Sequence, residues 1–283
     1  MTYLQFGITT KVSVKRNTSM IIPAVTICNY LKDEQKYPDE LINWIDFDLK
    51  DVKHLLFRFN VSLSSSYHKC IKINGGINST GHSVDLLKSK TAGVYDGLRI
   101  SFIKNMPIKS KSKQALYYYV GDNYEHPTNS EIKSFFQLHD HTSYVGIKRI
   151  DSKKLGYPYN ECLEDLTDFK DKSIINRILS KNITYRVSNC LQLCEEDFIA
   201  EKCNCTFYGY FQDDNRFDPA DDCRGSVDKL NCVEPLSKSF DTKICEEKCP
   251  TECNSVTFTC FSQKYYFWGT IHPNFYYDDL IYT

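Results

Sequence analysis

A chain of 283 residues, 41% hydrophobic and 25% charged, is long enough to bury a sizeable core as one large domain or two small ones. Its formal net charge of -1 excludes a global electrostatic case for nucleic acid or an anionic membrane surface as partner. Thirteen cysteines argue against a reducing compartment, and sequons at Asn17, Asn60, Asn78, Asn182 and Asn204 agree with an extracellular chain.

In chain order, residues 1–28 read as extended, with Ile8, Val12, Val14 and an apolar run around Pro23. Leu41 to Phe47 reads as one short helix and Val52 to Phe59 as another. Cys70 to Gly76 reads as a strand entering a glycine turn. Gly97 to Ile103 alternates with period two, as a strand does; Tyr117 to Val120 and Tyr144 to Ile150 read as further strands. Leu155 to Tyr159 ends in a proline-bearing turn. From Cys162 the pattern becomes helical and cysteine-rich, and Val256 to Trp268 is again aromatic and strand-like. The fold class is α+β, with strands in 1–30 and 70–160, disulfide-stapled helices in 162–253 and a return strand.

The cysteine spacing carries the most information. Ser188 or Asn189 is placed to cap a helix that brings Glu195, Glu196 and Asp197 into its early turns. Cys190 and Cys194 then share one face, about 5–6 Å apart. That separation is too wide for a mutual bridge, which needs Cβ atoms roughly 3.5–4.5 Å apart. Cys245, Cys249 and Cys253 repeat the four-residue step. Two such ladders laid antiparallel pair Cys190 with Cys249 and Cys194 with Cys245. Nested inside, Cys203 and Cys205 face Cys223 and Cys232; nested outside, Cys162 is left for Cys253. Spacing alone proves no connectivity.

Ile22-Pro23-Ala24-Val25-Thr26-Ile27-Cys28-Asn29 resembles the Phe-Pro-Ala-Val-Thr-Ile-Cys-Asn signature of the degenerin / epithelial sodium channel family, which there follows the first membrane helix. Tyr185 to Cys205, with Cys-x3-Cys-x8-Cys-x-Cys, is similar to the family's thumb. Cys245 to Thr257 is similar to its Cys-x3-Cys-x3-Cys return segment, and Gly97-Leu98-Arg99-Ile100 to its palm strand. The resemblance implies a β-strand palm and β-ball with a shortened finger over 1–161, a disulfide-rich helical thumb over 162–253, and a return strand over 254–283. It implies the bridges Cys28–Cys70, Cys162–Cys253, Cys190–Cys249, Cys194–Cys245, Cys203–Cys232 and Cys205–Cys223, with Cys260 left over. It places Phe6 and Tyr159 at the aromatic wrist contact through which the family passes extracellular events to the pore.

The function so implied is that of the extracellular gating domain of a trimeric, amiloride-sensitive sodium channel subunit at the plasma membrane. Its partners would be other subunits and an unidentified ligand or tether; no cofactor is implied. The family's second membrane helix, with its selectivity filter, has no counterpart before Thr283. The short interval between Cys28 and Cys70 leaves little room for finger and knuckle insertions, so the acid-sensing pocket of some members is not carried over. The amino terminus lacks the apolar stretch of a signal peptide. The expectation is therefore a piece of a longer subunit, with a secreted binding or decoy module as the alternative.

Other sites weigh less. His139-Asp140-His141 offers metal-ligand types, and Asp213, Asp214, Asp218, Asp221 and Asp222 offer oxygen ligands without the spacing of a calcium loop. Tyr117 to Tyr119 and Tyr265 to Trp268 could form a ligand or subunit surface, although core packing is the better default. No nucleophile–base pair, phosphate loop or basic stripe is present in the sequence, so no enzymatic activity is expected, and no metal site.

Overall fold

The computed structural model describes residues 15–16, 19–29, 37–63, 66–78, 80–102, 116–127, 136–138, 142–164, 173–181, 183–207, 221–223, 226–265, 272–277 and 281–282. Period-two alternation organises its first half. Strand β3 (Ala24–Asn29) lies at the centre of a five-stranded sheet. It runs antiparallel between β10 (Leu116–Gly121) and β7 (Ser66–Ile73). β11 (Phe136–Leu138) and β6 (Leu56–Leu63) form the edges. Because side chains alternate across a strand, Val25, Ile27, Ile71, Ile73, Tyr118 and Val120 fall on one face, and all are buried.

That face meets a six-stranded sheet in the order β13 (Asn254–Tyr265), β12 (Thr142–Lys153), β14 (His272–Tyr277), β9 (Leu98–Phe102), β4 (Ile42–Phe47), β5 (Lys50–Asp51). β12 and β14 are parallel, and β12 runs antiparallel to β13 in unbroken register from Thr142↔Tyr265 to Lys153↔Asn254. Ile45, Leu98, Ile100, Val145, Ile147, Phe275 and Tyr277 complete one continuous apolar core between the two sheets. Tyr118 and Phe275 meet edge to face across it, with ring centroids 5.2 Å apart, a geometry that adds about 0.5–1.5 kcal/mol to area burial. Two small ribbons flank the sheets: β1 (Lys15–Arg16) with β15 (Ile281–Tyr282), and β2 (Met20–Ile21) with β8 (Lys88–Ser89).

Among the described residues the helices are α1 (Ser173–Ser180), α2 (Val187–Cys203), α3 (Val227–Ser239) and α4 (Lys243–Glu246). Ile174, Ile175 and Ile178 of α1 pack with Ile183, Tyr185 and Leu193 around the cystines of α2 and α4. A second cluster holds Ile199, Phe207 and Val233 around Cys205 and Cys223. Mixed sheets and helices make the class α+β.

Three expectations are corrected. Leu41 ends a 3-10 turn and Ile42–Phe47 is a strand, because Ile42, Ile45 and Phe47 are buried by antiparallel pairing with β9. Lys53–Leu55 is only a 3-10 turn, and Leu56–Leu63 is the edge strand β6 paired along β7. Helix α2 starts at Val187, and its N-cap is Arg186, two residues before Ser188. The Val187 N–H is satisfied by the Glu252 carboxylate at 3.1 Å, and Asn189 is buried within the helix.

Gly97 precedes β9 where a Cβ would lie 2.7 Å from the Phe275 carbonyl oxygen and 2.9 Å from the Tyr276 Cβ. Backbone cannot yield there as a flexible side chain would. Gly97→Ala should destabilise the chain by about 1–3 kcal/mol, read as a lowered denaturant midpoint; an unchanged midpoint would contradict this packing.

Candidate functional site

Helices α2, α3 and α4 are held by disulfide bonds, and a further bridge closes the base of the helical module. Cys190 is bridged to Cys249 and Cys194 to Cys245, so α2 is held against α4 and the turn after it. Cys203–Cys232 ties the end of α2 to α3, and Cys205–Cys223 closes the segment beyond it. Cys162–Cys253 joins the chain entering the helical module to the chain leaving it. Beside that bridge the Leu163 N–H donates to the Thr251 carbonyl at 2.8 Å, and the Lys154 N–H to the Cys253 carbonyl at 2.7 Å. Cys28 and Cys70 face each other directly across β3 and β7 and are bridged. Cys260 is a free thiol on β13, packed at the edge of the sheet core, and burial pushes its pKa up to about 12.

Polar ties reinforce the ladder. Arg177 of α1 donates from Nη1 to both carboxylate oxygens of Asp197 at 2.8 Å. The Ser237 hydroxyl of α3 donates to Glu195 at 2.7 Å. Glu195 and Asp197 therefore connect helices rather than mark a helix start.

Sequence reasoning missed a buried polar site around Lys72. On β7 the alternation that sends Ile71 and Ile73 to the core sends Lys72 to the opposite face. There it is 8% exposed, beneath the segment from Asp122 to Pro127. Its ammonium donates to the carbonyls of Asn123 at 2.6 Å and Glu125 at 2.5 Å. Two glycines make the room. A Cβ on Gly75 would sit 2.9 Å from the Lys72 Cδ, and one on Gly76, at φ 74°, would sit 2.5 Å from the Tyr124 ring. Asn74, fully buried at φ 61°, donates to the Ile22 carbonyl at 2.6 Å and accepts from the Leu87 N–H at 2.9 Å. The Asn123 amide donates to the carbonyls of Ile22 and Asn74 at 2.9 and 2.7 Å. Buried polar groups are tolerated when bonded in this way.

The same loop reaches the helices. The Tyr124 carbonyl accepts from the Thr184 N–H at 2.8 Å. The buried Glu125 carboxylate pairs with Arg186, the N-cap of α2, at 3.1 Å. His126 is buried edge to face on Phe59, 4.9 Å between centroids. Burial, with the nearby Lys72 charge, holds it neutral by lowering its pKa well below the ordinary range. Phe57, Phe59, Ile77, Tyr124 and Ile183 line a cleft beside Lys72. The only lexical hint in the sequence is the glycine pair after Asn74.

The remaining anticipated residues are dispersed. Tyr159 follows the cis Tyr157–Pro158 bond, is 52% exposed and donates its N–H to the Gly156 carbonyl at 3.0 Å; Phe6 lies outside the described residues. Tyr118 is core, whereas Tyr117 and Tyr119 pack beside the Cys28–Cys70 bridge. Asn17, Asn182, His139 to His141, Asp213, Asp214, Asp218 and Trp268 also lie outside the described residues, and Asn60 is described only as backbone in β6. Among the described residues no group of three or more His, Cys, Asp or Glu is placed to hold a metal. Asn204 is exposed and adopts φ 48° as the C-cap of α2, a conformation asparagine accepts better than most residues. The Asn78 Oδ1 accepts from the Thr80 N–H at 3.0 Å, the Thr80 hydroxyl at 2.8 Å and the His82 N–H at 2.9 Å.

Residues 32–277 match the profile of the family described as amiloride-sensitive sodium channel, and the chain belongs to that family. The family is one of ion channels, not of enzymes. The chain is also similar to the epithelial sodium channel subunit beta of Neoceratodus forsteri, 25% identical over 205 residues. That alignment covers 69% of this chain and 29% of the relative, so the chain spans less than a third of the relative's length. Among the described residues no helix is long and apolar enough to cross a membrane.

Two predictions follow from the geometry of Lys72 and Asn78. Burial lowers the Lys72 pKa from 10.5 to about 8, opposed by the charges of Asp122 and Glu125. Between those values the unfolded chain binds the proton more tightly, so the folded state gains stability as pH rises. Lys72→Met should remove this rise, on the order of 1–3 kcal/mol between pH 8 and 10.5, from the difference between the two denaturation profiles; a rise of equal size in the variant would refute the assignment. At Asn78 a glycan is expected on the chain secreted from a eukaryotic cell. Asn78→Gln should then abolish one glycosidase-sensitive mobility step, and an identical ladder of bands would show the site unused.

Proposed function

We propose that the chain is the extracellular part of a sodium channel subunit of the plasma membrane, assembled with other subunits as a homo- or heterotrimer and sensitive to amiloride. Family membership supports the channel class, and the similarity to an epithelial sodium channel subunit supports sodium as the ion. The observation that carries a gating role is mechanical. Helix α2 is bridged at Cys190, Cys194 and Cys203, near its start, at its middle and at its end, so it can move only as a body. In the family's terms the bridged helices of 162–253 are the thumb and the paired sheets are the palm and β-ball. Asn17, Asn60, Asn78, Asn182 and Asn204 are the proposed glycan acceptors on the outer surface.

A ligand or tether moves such an equilibrium only through a difference in its affinity for the closed and open forms. The thumb's part is to carry that difference without internal yielding. Tyr159, in the turn just before Cys162, and Phe6 form the proposed wrist that receives it.

Expression of the full-length subunit containing this chain tests the proposal. Amiloride-sensitive sodium current is expected, and paired Cys190→Ser and Cys249→Ser substitution should reduce the stimulus-evoked fraction severalfold at equal surface expression. Unchanged gating in the variant would remove the lever. No current from surface-expressed full-length protein, alone or with partner subunits, would favour a binding module instead.

A further inference from the structure

Lys72, the segment Asp122–Pro127 and Arg186 form a chain of contacts between two places far apart in sequence. At one end the Asn123 amide grips the Ile22 carbonyl, between the ribbon strand β2 and the central strand β3. At the other end the Tyr124 carbonyl and Glu125 carboxylate grip Thr184 and Arg186, where the helical module begins its long helix. Between the two ends the Lys72 ammonium binds the carbonyls of Asn123 and Glu125.

We propose that Lys72 is the positioning residue of a polar joint that couples the start of α2 to the Ile22 end of β3 through the loop Asp122–Pro127. The argument is steric and electrostatic. The loop has no strand or helix ladder of its own, so its carbonyls need donors from elsewhere. A single buried ammonium bonded to the carbonyls of residues i and i+2 sets the local turn. Residue i then presents its side chain to the sheet, while the intervening residue presents its carbonyl and residue i+2 its carboxylate to the helix. The glycines at 75 and 76 let the lysine stem and the Tyr124 ring approach the backbone closely. Among the described residues, the charged and titratable groups facing Lys72 are Asp122, Tyr124, Glu125 and His126 of the loop, with Arg186 of the helix reached through Glu125. Glu125 thus serves twice, as an acceptor through its carbonyl and as an ion partner through its carboxylate. The joint is a property of this chain; its bearing on gating rests on the channel reading above.

The test is made on the full chain with its bridges formed. In hydrogen exchange, Lys72→Met should raise the rate at the Thr184 amide at least tenfold more than at the Ile71 and Val25 amides of the sheet. A double-mutant cycle on unfolding with Asn123→Ala and Arg186→Gln should show non-additivity of at least fivefold in the equilibrium constant, lost in the Lys72→Met background. If Lys72→Met does not fold, Glu125→Gln supplies the same reading. It leaves both carbonyl acceptors in place, yet should raise Thr184 exchange, and it should start the alkaline gain in stability below pH 8 because one charge that raises the Lys72 pKa is gone. Additive effects of Asn123→Ala and Arg186→Gln, uniform changes in exchange, or an unmoved alkaline profile in Glu125→Gln would each overturn the joint. These readouts involve no current, so their failure leaves the channel reading intact, and loss of current in the full-length subunit leaves the joint intact.

Discussion

The cystine seam of helix α2 is the constraint on which the helical half of the molecule depends. Along its length the buried residues are Asn189, Cys190, Leu193, Cys194 and Ile199. Two of those five are half-cystines and one is an amide, leaving Leu193 and Ile199 as the fully buried apolar anchors, with Leu191 and Phe198 only partly buried beside them. Such a stripe is too thin to hold a helix by burial alone. The bridges to Cys245 and Cys249 supply what leucines supply in a helical bundle, and each native bridge of this kind is typically worth about 2–4 kcal/mol. The polar groups of the helix are then free to serve neighbours: Asp197 meets Arg177 and Glu195 meets Ser237.

The sheets solve a different problem. Their shared core is apolar and continuous, so one face of the five-stranded sheet needs no further help. The other face carries Thr26, Cys28, Cys70 and Lys72, and it is covered by a loop rather than by a third sheet. Covering a sheet with irregular backbone brings unpaired carbonyls inside. The buried Lys72 satisfies those of Asn123 and Glu125, the buried Asn74 and Asn123 bond the neighbouring carbonyls of Ile22 and Asn74, and the loop's outer side is left to bond with the helices. A polar cover thus becomes the connection between the two halves. The long pairing of β12 with β13 makes a second connection, ending at Lys153 and Asn254 beside the Cys162–Cys253 bridge.

Much of this was readable from residue order, for identifiable reasons. A four-residue cysteine step names both a helical period and a facing partner, so the antiparallel seam of Cys190 and Cys194 with Cys249 and Cys245 could be drawn before any coordinates. Alternation in Leu98 to Phe102 and Tyr144 to Ile150 likewise marks strands. Ile42 to Phe47 misleads because Trp44 and Ile45 break strict alternation where the pairing with β9 shifts register. The capping of α2 misleads because Glu252, remote in sequence, does what Ser188 or Asn189 was expected to do. The polar joint is the least legible feature. Lys72, Asn123, Glu125 and Arg186 come from three separate stretches, and each alone looks like an ordinary surface residue. Only the adjacent glycines carry a local trace of it.

The cystine between β3 and β7 has a meaning beyond adhesion. Cys28 and Cys70 are directly opposed, and Lys72 lies two residues farther along the same face. Sliding β7 by one position would turn that ammonium into the apolar core and expose Ile71 and Ile73. It would also carry the Cys70 sulfur to the far side of the sheet from Cys28. Closure of this one bond is therefore a record of correct alignment: a newly made chain in which it has formed has already chosen its inside and its outside, and a quality-control system that senses free thiols could tell the two apart.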